Sequence, residues 1–113
     1  MTTEPLRNGD CFEANANALI DMGPSNEGWV LCHGVPVNRI DRLPFGHAWL
    51  ENAETVHDHS NGSHSEIPKD LYYAIGNIPA YGHETIHKYT SEQVVERLLE
   101  HEHWGPWDLD SPR

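Results

Sequence analysis

The sequence predicts an α+β domain: one N-terminal helix buried against a small, mostly antiparallel sheet, followed by a C-terminal helix. Three features carry this prediction. A capping signal at Asp10 opens a segment of small and apolar residues at helical spacing, and short β-favouring segments separated by turn residues fill the middle. A second capping signal at Thr90 opens an amphipathic segment near the end.

The first helix is expected to run from Asp10, as N-cap, to about Met22. Glu13 stands three residues after the cap, where it can close a capping box. Phe12, Ala16, Leu19 and Ile20 recur on one face, and Ala14, Ala16 and Ala18 keep the helix slim. Gly23-Pro24 ends it. Residues 29–33 read as a strand, and residues 34–45, with two prolines and no sustained period, as a loop. Residues 47–51 form a second strand, Asn52-Ala53 a turn, and residues 54–59 a third strand in hairpin with the second. Residues 60–65 read as a polar loop. Residues 67–78 leave two readings open: a short helix from Pro68 through Leu71, or a strand over Tyr72 to Ile75.

Residues 85–89 alternate as a further strand. Thr90 with Gln93 then opens a helix that places Val94, Val95, Leu98 and Leu99 on one stripe and Glu92, Glu96, Arg97 and Glu100 on the other. It frays into His101-Glu102-His103, and the tail through Trp104 and Trp107 is expected to pack back on the domain.

With 113 residues, residues 1–113 are expected to form one domain with one modest core. Seven Lys+Arg against 18 Asp+Glu give a net charge of −11 with His neutral. That balance excludes the clustered basic surface that nucleic acid or an anionic membrane requires, although nine His would offset part of the charge near pH 6. Apolar runs such as Trp29-Val30-Leu31-Cys32 are too short to span a membrane. No basic stretch followed by an apolar one marks a secretory leader. Two cysteines, Cys11 and Cys32, suit a reduced, cytoplasmic setting and leave a single Cys11–Cys32 disulfide open.

Cys11 falls in the first turn of the predicted helix, where unpaired N–H groups and the helix dipole favour a thiolate and can stabilise an oxyanion. Asp10 and Glu13 oppose that bias by their charge. His47 heads a predicted strand, and reflecting it across a turn at 52–53 brings position 58 opposite, where Asp58 stands. A carboxylate there would fix the imidazole tautomer and stabilise the imidazolium, leaving the other ring nitrogen to act on a thiol.

Cys at a helix start, then His47-Ala48-Trp49-Leu50-Glu51, then Asp58 one strand later resembles the transglutaminase-like core of the papain-like cysteine enzymes. The resemblance covers residues 9–60. It implies Cys11 as nucleophile, His47 as general base and acid, and Asp58 as the residue that orients His47. The Cys-to-His spacing is similar to that core, whereas the His-to-Asp spacing is a little short. The usual Gly-x-Cys context with an aromatic partner is missing before Cys11. The family's polar oxyanion partner shortly before the nucleophile would be Asn8, which also reads as a turn residue ahead of Gly9. The whole chain is also similar to short bacteriophage proteins that share the Gly-His-Ala-Trp, Leu-Tyr-Tyr-Ala-Ile-Gly and His-Trp-Gly-Pro-Trp segments.

A competing constellation is metallic. His57-x-His59 falls on one face of its strand, opposite Asp58, and with His64 could chelate Zn²⁺ or Ni²⁺. Trp49, two residues from His47, is the aromatic candidate for touching substrate, although Trp29, Trp49, Tyr72 and Tyr73 are all expected to fill the core.

The expected function is cysteine-dependent acyl transfer, most simply hydrolysis of an amide or isopeptide bond through a thioester. No cofactor is expected, and the substrate is a protein or peptide met by residues 35–45 and 60–65. The alternative is a non-catalytic acidic phage protein on the same fold that binds and inhibits a host protein. Either would act in the cytoplasm, the host's if phage-encoded. A structural or virion-assembly role comes third.

Overall fold

The structure is a computed structural model in which residues 10–36, 46–60, 63–76, 78 and 86–108 are described. Helix α1 (Asp10–Asp21) runs into a 3-10 turn at Gly23–Asn26. Strands β1 (Val30–Gly34), β2 (His47–Glu51), β3 (Thr55–Ser60) and β4 (Ser63–Pro68) follow. Helix α2 (Lys69–Ile75), strand β5 (His87–Tyr89) and helix α3 (Ser91–His101) complete the order. The strands form one five-stranded sheet in the order β4-β3-β2-β1-β5, antiparallel throughout, so the fold is α+β.

Alternation along the strands divides the interior in two. On one face, Leu31, Ala48, Leu50 and Tyr89 pack with Phe12, Ala16 and Leu19 of α1 and Val94 of α3, and Trp104 and Trp107 fold back over them. On the other, Cys32, Trp49, Val56 and Ile78 pack with Tyr72 and Tyr73 of α2. Leu19, Leu31 and Leu50 have no exposed surface; burial of each contributes about 1.5–3 kcal/mol. Alanines at positions 16 and 48 allow α1 to lie close to the sheet.

The capping box at Thr90 is fully formed. Thr90 Oγ1 accepts from the Gln93 N–H at 3.2 Å, and Gln93 Oε1 accepts from the Thr90 N–H at 2.9 Å. The apolar stripe behind it is narrower than expected: Val94 is buried, but Val95 is 43% exposed and Leu99 77%.

Two expectations are corrected, and the choice left open over residues 67–78 is resolved. Most of the polar loop expected at residues 60–65 is strand: β3 runs to Ser60, β4 starts at Ser63, and only Asn61-Gly62 lies between. The polar alternation Ser-His-Ser-Glu concealed it, while Asn-Gly is itself a strong hairpin signal. Tyr72 and Tyr73 lie on a helix rather than a strand, their β preference overridden by packing against the sheet. The connection between β2 and β3 is longer than two residues. Asn52 Oδ1 accepts from the Glu54 and Thr55 N–H groups at 2.9 and 2.8 Å, and the first pair across is Glu51 with Val56.

Asn8, the loop at residues 37–45 and the side chains of Asp10 and His64 lie outside what is described. Among the described residues, no helix is long and apolar enough to cross a membrane.

Candidate active site

His47 Nε2 lies 2.9 Å from Asp58 Oδ2. A carboxylate only accepts hydrogen bonds, so Nε2 carries the proton and Nδ1 is left for other chemistry. The register differs from the simple hairpin reflection. β2 and β3 pair Leu50 with His57 and Glu51 with Val56, so continued pairing would set Asp58 level with Trp49. His47 and Asp58 are therefore diagonal neighbours on one face, a separation that an imidazole spans. Their side chains keep 14% and 18% of their surface exposed.

Tyr72 on α2 donates its hydroxyl to the same Asp58 oxygen at 2.8 Å. Asp58 Oδ1 is buried and has no hydrogen-bond partner among the described residues. Burial acts to raise the Asp58 carboxyl pKa, but the bonds and charge from His47 and the Tyr72 bond outweigh it and hold the pKa below the usual value.

Cys11 is in the first turn of α1, 4% exposed, and near enough to His47 to raise its pKa. Burial alone would lower the His47 pKa. Hydrogen bonds to Asp58 and Cys11, together with their charges, reverse this and push it up to about 10. The imidazolium is thus the stable form at neutral pH, beside a sulfur at a helix N-terminus whose N–H groups have no partners within the helix. The three residues that the sequence singled out, Cys11, His47 and Asp58, come together.

Compared with known proteins, the chain matches no family model, no curated protein and no solved structure.

Other candidates fall elsewhere. Trp49 is wholly buried, packs against the tilted ring of Tyr72 and edge-to-face with Tyr73, and donates its indole N–H to Glu51 Oε1 at 3.0 Å. It is a core residue and is not placed to touch substrate. His57 bonds Glu66 at 2.9 Å and packs on Trp29, while the His57 and His59 ring centres lie 6.3 Å apart. No group of three metal-ligating side chains occurs among the described residues. No disulfide joins Cys11 and Cys32. They belong to different faces of the sheet, and burial together with the nearby Glu51 carboxylate holds the Cys32 thiol pKa well up.

Sequence reading missed three polar residues. Tyr72 bears on Asp58 as described. Glu51 is 1% exposed, yet its pKa is held at about 2 because bonds from Trp49, Tyr73, Lys69 and Lys88 outweigh burial. The Tyr73 hydroxyl donates to it at 2.7 Å and the two ammonium groups stand at 3.0 and 3.1 Å. Asn15, one turn after Cys11, is buried on a helix otherwise expected to be small and apolar inside. That mismatch was the available signal.

Proposed function

We propose that this protein is a cysteine-dependent acyl-transfer enzyme working on amide or isopeptide bonds, with Cys11 as nucleophile, His47 as base and acid, and Asp58 as the residue orienting His47. One observation carries the reading: His47 bonds Asp58 through Nε2, and Cys11, in the first turn of α1, stands close enough to His47 to act on it. The resemblance to the transglutaminase-like core supports the same roles, and a phage origin follows the resemblance of the whole chain.

In this reading the Cys11 thiolate attacks the acyl carbon while His47 holds the proton. The carbonyl π-pair moves to oxygen, and the first-turn N–H groups of α1 stabilise the resulting oxyanion. His47 gives its proton to the leaving amine as the C–N bond breaks, which leaves a thioester on Cys11. Neutral His47 then takes a proton from water, whose oxygen attacks the thioester. The acid departs and Cys11 returns as thiolate. An amine in place of water gives transfer instead of hydrolysis. Asp58 keeps the ring oriented throughout.

A binding role without chemistry is the second reading. It is favoured by the 4% exposure of Cys11 together with a net charge of −11. A small activated ester such as p-nitrophenyl acetate separates the two. Acyl transfer requires a burst of nitrophenolate with one acetyl group on Cys11, abolished in Cys11→Ala. Acetylation confined to surface lysines contradicts it.

A further inference from the structure

We infer that Asn15 is a positioning residue for the Cys11–His47–Asp58 group: its carboxamide takes the place of an absent backbone pair between Ala48 and His59 and ties α1 to the end of the sheet that carries His47 and Asp58. The inference rests on the acyl-transfer reading of that group and extends it to a residue outside the resemblance's triad.

The β2–β3 ladder contains only the pairs Leu50–His57 and Glu51–Val56. In an antiparallel ladder the next pair of the same kind would join Ala48 and His59, each giving its N–H to the other's carbonyl. Asn15 occupies that step instead. Its Oδ1 accepts from the His59 N–H at 3.0 Å, and its Nδ2 donates to Ala48 O at 3.0 Å and His59 O at 2.9 Å. A carboxamide carries the same donor and acceptor as a peptide group, so it closes the ladder without joining the strands directly.

The same Nδ2 also donates to the carbonyl of Cys11 at 2.8 Å, so two hydrogens are shared among three acceptors. Asn15 therefore holds backbone at Cys11 itself, at the neighbour of His47 and at the neighbour of Asp58. Burying a carboxamide is costly unless its bonds are made, and Asn15, wholly buried, makes four. The other inward residues of α1, namely Phe12, Ala16 and Leu19, are apolar and small or packed.

The parting of the strands has a use. Helix α1 packs on the face of Ala48 and Leu50, while Asp58 contacts Tyr72 of α2 on the opposite face and His47 lies against Trp49 there. Cys11 meets His47 at the end of the sheet where β2 and β3 have come apart. A continuous Ala48–His59 pair would close that end.

Asn15→Asp is the decisive variant. It keeps the shape and can still accept from His59, but it has no N–H for the three carbonyls. Iodoacetamide alkylation of Cys11 is measured against pH for wild type, Asn15→Asp and His47→Ala, with unfolding midpoints alongside. The expected result is a folded Asn15→Asp whose Cys11 reacts slower at neutral pH by on the order of 10²-fold. Its profile should move toward that of an ordinary thiol, near ~8.5. A less stable variant with the wild-type profile overturns the inference and leaves the triad reading standing. A wild-type profile identical to that of His47→Ala overturns the acyl-transfer reading, and the inference with it. Where Asn15→Asp does not fold, hydrogen exchange at the His59 amide of the wild-type protein decides: protection supports the closed ladder, and fast exchange overturns it.

Discussion

Asp58 stands two residues along β3 from the position across from His47, and the two side chains still meet at 2.9 Å. Both face α2, whose Tyr72 closes the triangle on the same carboxylate oxygen. The acid–imidazole bond is thus set by the shared face and by Tyr72, and it tolerates a hairpin connection longer than the tightest one.

The first prediction concerns pH and stability. His47 has a folded pKa of about 10 against 6.5 when unperturbed. Protonation therefore favours the fold. This contribution is fully present below about pH 6.5 and is lost as pH rises through about 10. Urea midpoints measured across that window should fall for wild type, and Asp58→Asn should flatten the fall. Equal slopes in the two proteins would contradict the assigned cause.

Tyr72→Phe keeps the ring that packs on Trp49 and removes only the hydroxyl on Asp58. One hydrogen bond to a charged group is worth about 1.5–3 kcal/mol, so a measurable drop in stability is expected. Asp58, relieved of a competing donor, should hold His47 more strongly and shift the Cys11 alkylation profile. A shift is the informative result; unchanged stability and profile together would remove Tyr72 from the site.

How much of this was legible in the sequence follows the range of each interaction. The Thr90 capping box and the His47–Glu51 strand are set by neighbours within a few residues, and both are legible in the sequence. The meeting of Cys11, His47 and Asp58 was legible as an ordered pattern, although the register was not. The register depends on Asn52 folding back onto Glu54 and Thr55, which an Asn-Ala pair does not announce. β4 was hidden because both faces of an edge hairpin can be polar. Asn15 could not be assigned a role, since its partners Ala48 and His59 are more than thirty residues away.

Glu51 should be the most stability-sensitive polar residue. Its carboxylate is 1% exposed beneath Lys69 and Lys88, and replacing one partner of such a buried set leaves charges uncompensated. Glu51→Ala is expected to cost about 3–5 kcal/mol, read as a lowered denaturant midpoint. Its folded pKa of about 2 lies below the unperturbed 4.5, so its stabilisation is present above about pH 4.5 and is lost as pH falls toward 2. A midpoint within error of wild type would contradict the network.

His33 predicts the opposite edge of the pH range. It is wholly buried, its two ring nitrogens have no hydrogen-bond partner among the described residues, and Phe12, Tyr89 and Trp107 surround it at 4.8, 5.0 and 5.1 Å. Gly105, at φ 122°, passes so close that a Cβ there would lie 2.9 Å from the ring. Burial first, then the nearby His87, pushes the pKa from 6.5 to about 3 against the pull of Asp108. The unfolded chain therefore takes up the proton more readily, and stability is lost as pH falls from about 6.5 toward 3. His33→Leu should move acid unfolding to lower pH. An unmoved acid transition would show that His33 does not drive it.

Activation of Cys11 by His47 is tested by alkylating the two cysteines in the native protein. Labelling with iodoacetamide from about pH 5 to about pH 9, located by mass, is compared between wild type and His47→Ala; the reference is a thiol titrating near ~8.5. Cys11 should react rapidly well below that value in wild type and lose this in His47→Ala, while Cys32, wholly buried, stays unlabelled until the protein unfolds. Cys11 labelling that follows the ordinary thiol curve in both proteins, or that needs unfolding as Cys32 does, would contradict it.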